Sequence, residues 1–138
     1  MSISERISPF IGRLFIAWFF LSEAWARLAN FGATVAVLNA QHIPAAPALL
    51  VLALAAMFLG GISLVLGFHT RHGAMLLFGF TVVVSVLMHA FWMTGDGADR
   101  GPDYDIFVRN MAIAGGLLLL VGIGPGPFSL DNAGRKRK

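Results

Sequence analysis

There is no cysteine among the 138 residues of this chain. That excludes disulfides, thiol redox chemistry, cysteine-ligated iron–sulfur clusters and covalent c-type haem. Charge is scarce as well: 12% of residues are Asp, Glu, Lys or Arg, while 57% are hydrophobic. The scarcity is concentrated. From Pro44 to Phe68, 25 residues run without one ionised side chain. From Gly73 to Gly95, His89 is the only titratable group, and Asn110 to Leu130 has none. At about 1.5 Å per residue, each run can cross about 30 Å of hydrocarbon as a helix. A soluble domain of this size could not hide three helices that are apolar on all sides. The solvent of this chain is a lipid bilayer.

What charge there is lies mostly at the ends. The net charge is +3, and four of the ten cations are the last four residues, Arg135 to Lys138. A basic tail behind a membrane span marks topology and meets anionic headgroups. Nucleic acid is not an expected partner.

Four spans are predicted, at about 9–30, 45–67, 73–93 and 106–123. Ser8-Pro9 reads as the cap and first position of the first, and Phe31-Gly32 as its stop. A cleaved signal peptide ending near Ala24-Trp25-Ala26 fits less well. Its leader would be hardly basic, and Glu23 would precede the cut. Residues 33–43 read as a polar connection. The short turn from His69 to Gly73 makes an antiparallel hairpin of the second and third spans. The loop before the fourth span is rich in aspartate, and Gly124-Pro125 ends that span. The expected fold is all-α: one membrane domain over 1–138, a four-helix bundle. Small residues at Gly60, Ser63 and Gly67, and at Ala112 and Gly116, allow close helix approach in lipid. With both termini in the cytoplasm, that side holds seven cations and the other three. The positive-inside rule selects this orientation.

Ionisable groups inside spans are the candidates for function. Glu23 and Arg27 lie one turn apart in the outer half of the first span. His89 sits near the outer end of the third, with Trp92 three residues on. Arg109 and Asn110 open the fourth. Gln41 and His42 could cover them from the first outer loop. Two roles fit this cluster. As a pocket, it offers a carboxylate, an imidazole and two guanidiniums, which suits the carbonyls and protons of a quinone headgroup. As structure, it gives a local Glu23–Arg27 pair, arginines snorkelling to phosphates and one interhelical bond from His89. No metal site is expected. His69-x-x-His72 has no third ligand nearby, and His42 lies in a loop, which disfavours a His42–His89 haem pair. Phosphate-binding glycine loops and a Ser-His-Asp order are absent.

Several short elements, taken in order, make this chain resemble the DoxX family of small four-helix membrane proteins. They are Arg13-Leu14, the stretch Ser22 to Leu28, and His42-Ile43-Pro44. Next come Gly60-Gly61, the turn Leu66-Gly67-Phe68-His69-Thr70-Arg71, and His89-Ala90-Phe91-Trp92. Arg109-Asn110 and the ending Gly124 to Asp131 complete the set. Met57 stands where members often carry a glutamate, and Ala24 replaces the usual glycine. The resemblance implies a cell (inner) membrane protein linked in some members to quinone-dependent sulfur oxidation or to membrane oxidoreductase complexes. The leading expectation is thus an integral subunit or accessory protein of such a system. It would have a membrane protein partner and no intrinsic cofactor, and it would not act as an enzyme alone. The alternatives are a small solute- or lipid-binding or transport protein and a structural interaction module.

Overall fold

The computed structural model describes residues 2–89 and 101–135. Six helices follow one another: α1 (Ile3–Ala29), α2 (Phe31–Ala40), α3 (Ala46–Leu66), α4 (Thr70–Met88), α5 (Pro102–Ile123) and α6 (Leu130–Arg135). There is no strand among the described residues. α1, α3, α4 and α5 are long and apolar enough to span a membrane. They pack in the order α1–α3–α4–α5, with a looser seam between α1 and α5. The core contains Phe20 and Ala24 of α1, Met57 and Leu64 of α3, Leu77 of α4 and Leu117 of α5. Met57 is 3% exposed, so an apolar thioether forms part of the bundle core.

Three boundaries differ from expectation. α1 begins at Ile3, not at Pro9, because Ser2 and Glu5 form a capping box two turns earlier. Pro9 is carried inside the helix. Residues 33–43 are mostly not a polar connection, since α2 occupies Phe31–Ala40. Phe31, Val35 and Leu38 of α2 pack against the core. They recur at i, i+4 and i+7, so an apolar stripe outweighs the nearby Gly32 and Asn39. The break between α1 and α2 falls at Asn30, whose N–H still bonds the Ala26 carbonyl at 3.2 Å. Lastly, α4 ends at Met88. The expected continuation to about residue 93 lies outside the described residues.

Small residues set the helix approaches. A Cβ on Gly60 would overlap Leu77 of α4, and one on Gly73 would lie 2.7 Å from Ser63 Cβ. The α3–α4 hairpin thus interlocks in both directions. A Cβ on Gly61 would lie 2.7 Å from Leu21 Cδ2 of α1. Gly116 is different. Only Ile16 Cδ1 comes near it, at the ordinary distance of 3.5 Å. The looser α1–α5 seam has no need of a glycine there.

Candidate functional site

Near the outer ends of the spans, the predicted polar residues sort into three arrangements. The first is local to α1. Arg27 Nη1 lies 2.6 Å from Glu23 Oε2 and donates at 3.0 Å to the Glu23 carbonyl. The pair is about 40% exposed, so it sits on the rim of the bundle. Glu23 has its guanidinium partner within α1 and not on another helix. The i,i+4 partner on its own helix is nearer.

The second arrangement joins α4 to α5. His89 caps α4, and its Nδ1 lies 3.2 Å from Asp103 Oδ1 in the first turn of α5. Asp103 was legible only as part of an acidic loop. One turn deeper, Asn110 Nδ2 donates to Ser85 Oγ at 3.0 Å, and Ser85 Oγ donates to the Thr81 carbonyl at 2.6 Å. Asn110 and Ser85 are buried. Ser85 precedes His89 by four residues, so spacing alone placed it on that face.

The third arrangement is Arg109. Its Cζ lies 5.3 Å from the ring centroid of Phe19, across the α1–α5 seam. Arg109 itself is exposed and pairs with no carboxylate among the described residues. By chain position it lies about 10 Å into α5, and Glu23 about 9 Å from the end of α1, so the two share a depth. No hydrogen bond or ion pair among the described residues joins Glu23 or Arg27 to His89, Arg109 or Asn110. Gln41 and His42 are exposed, and no side-chain bond ties them to the cluster. Trp92 lies outside the described residues.

The inner end holds an assembly that the individual motifs did not reveal. Arg13 is 2% exposed. Its Nη1 donates to the Pro125 carbonyl at 2.9 Å and its Nη2 to the Phe128 carbonyl. Phe10 lies under the guanidinium at 5.3 Å. Gly67 ends α3 with φ +65°, and a Cβ there would lie 2.6 Å from Ser129 Cβ and overlap Arg13. Asp131 then accepts from the N–H groups of His69 (2.7 Å) and Thr70 (2.9 Å), capping α4 from the far end of the chain. Burial pushes the Asp131 carboxyl up. The Thr70 and His69 N–H bonds pull it down further, so it rests below the usual carboxylate value. Three segments distant in sequence thus close into one clasp.

Those segments carry the sequence elements of a family, and comparison with known proteins agrees. The DoxX family profile matches residues 8–90. The chain belongs to the DoxX family. It is similar to inner membrane protein YqjF of Escherichia coli, at 29% identity over 133 residues, 96% of each chain. It is also similar to inner membrane protein YphA of the same organism, at 34% identity over 122 residues, 88% of this chain and 86% of that one. No solved structure matches.

Proposed function

We propose that this DoxX-family protein is an accessory subunit of a membrane oxidoreductase system and contacts a quinone headgroup at its outer rim. Its place is the inner membrane, as for the two relatives. The observation that carries the proposal is Arg109. Its guanidinium stands exposed at the outer mouth of the α1–α5 seam, held over Phe19 and without a carboxylate partner among the described residues. A guanidinium presents five N–H donors in a fixed fork. A quinone carbonyl, and still more a reduced quinol oxygen, accepts such bonds. The Phe19 ring and the seam supply apolar surface beside it.

The neighbouring groups suit the same ligand. His89 and Asp103 form an imidazole–carboxylate pair 3.2 Å apart at the same end of the bundle. Asn110 ties α4 to α5 just beneath, so the wall carrying Arg109 is fixed. Electron transfer itself would come from a partner protein; among the described residues no group of His, Cys, Asp and Glu could hold a metal.

Purification in mild detergent, followed by identification of what stays bound, tests this. Quinone at a fixed ratio to the chain, with a constant oxidoreductase partner, is the expected outcome. A lipid or solute without a partner would point instead to a binding protein. A partner without quinone would point to a structural module.

A further inference from the structure

A different surface points to a second ligand. On the opposite, inner half of the bundle, a cleft of about 350 Å³ opens between α3 and α4. Its walls are Leu59, Ile62, Leu66 and Leu76. All four are exposed, so the cleft faces the bilayer and not the core. Its floor is small: Ser63 and Gly73 pack against each other there. Ser63 Oγ already donates to the Phe68 carbonyl at 2.6 Å, which leaves the floor without an unmet donor. From Leu66 to Leu59 is about 10 Å along the helix. The cleft therefore runs from headgroup level into the region of the acyl chains.

At its inner mouth stand His69 and His72, their ring centroids 5.7 Å apart. His69 is held in place twice. Its peptide N–H bonds Asp131, and its ring meets Phe68 edge-on at 4.4 Å. Both imidazoles can donate N–H bonds, whether neutral or protonated. The surrounding field favours an anion. The inner face of the chain holds seven cations against Glu5 and Asp131, whereas the outer face holds three against five acids. Asp131 is engaged with backbone N–H groups and offers little repulsion.

We propose that this cleft is a binding site for one anionic phospholipid of the inner leaflet. An acyl chain would lie along Leu59, Ile62, Leu66 and Leu76, and the phosphate would be held by His69 and His72. The basic tail raises the local concentration of such lipids, and the cleft selects one of them.

Native mass spectrometry of the protein released from nanodiscs of mixed phosphatidylcholine and phosphatidylglycerol tests the site. One phosphatidylglycerol should stay on each wild-type chain. Leu76→Trp fills the cleft, and His72→Ala removes a donor. Each should cut retention by about tenfold, the loss that about 1.4 kcal/mol gives. Leu118→Trp, at an exposed position on α5, should leave it unchanged. Equal retention of both lipids by the wild type, or wild-type retention in both cleft variants, overturns the proposal. So does an equal loss in Leu118→Trp. If Leu76→Trp does not fold, His72→Ala alone decides.

Discussion

Arg13 and Pro125 are 112 residues apart in sequence and 2.9 Å apart in the fold, joined by a guanidinium N–H and a carbonyl oxygen. That bond and its neighbour at Phe128 close the inner end of the bundle. They also satisfy carbonyls of the irregular segment after α5, where helical partners are lacking. A charged side chain within a span is costly unless it is paired or reaches water, which is why this one meets two carbonyls and an aromatic face.

Replacing Arg13 removes both bonds. Arg13→Met should destabilise the protein by roughly 2–6 kcal/mol, since two part-buried carbonyls lose their donors at about 1–3 kcal/mol each. Arg13→Lys should recover only part, because one ammonium lacks the two-pronged reach. Thermal unfolding in detergent reads both. Wild-type stability in Arg13→Met would deny the clasp its structural role.

Asp131 makes the clasp sensitive to acid. Its folded pKa is depressed, so its contribution is complete above the unfolded value of about 3.9 and fades as pH falls through the folded value. Asp131→Asn should cost roughly 1–3 kcal/mol at neutral pH, since the amide can accept from only one of the His69 and Thr70 N–H groups. The gap between variant and wild type should close in acid. A gap that stays constant from pH 7 to pH 2 would mean that the carboxylate charge is not what stabilises α4.

Gly60 and Gly115 offer a matched comparison on two spanning helices. Gly60 abuts Leu77, whereas a Cβ on Gly115 meets nothing within 4 Å. Gly60→Ala should destabilise by about 1–3 kcal/mol through overpacking. Gly115→Ala should be neutral or stabilise by up to about 1 kcal/mol through helix propensity. Melting temperatures in one detergent check the difference, and the same sign at both sites would contradict the packing described.

The last three spans were legible because a charge-free run longer than the bilayer is thick has almost no other explanation. Gly60 was legible for a related reason, since a small residue at helical spacing in lipid has packing as its main use. α2 was obscured by Gly32 and by the polar residues Asn39, Gln41 and His42, although Phe31, Val35 and Leu38 already showed its stripe. The candidate site was half legible. Depth along a helix follows from counting residues, so Glu23, His89 and Arg109 fell at one level. Lateral neighbours do not follow from counting. Asp103 could not be matched to His89, nor Phe19 to Arg109, before the helices were placed. The clasp was invisible for the same reason. Arg13, Gly67 and Asp131 are each ordinary until three chain segments meet.

Orientation decides which face each site serves. Reporter fusions after Lys138 and at Asp99 should place the first in the cytoplasm and the second outside, following the seven-to-three division of cations. An external C-terminus would exchange the two leaflets for every site described.

Arg109 is where quinone contact stands or falls. The most direct measurement is quinone affinity in nanodiscs of defined quinone content, comparing wild type with Arg109→Gln and Arg71→Gln. Arg71 is the control, an exposed cation at the inner end. Loss of one charge-assisted hydrogen bond should weaken binding by about tenfold or more in Arg109→Gln. Arg71→Gln should bind as the wild type does. Equal affinity in all three proteins, or no saturable binding in any, would contradict quinone contact at the outer rim.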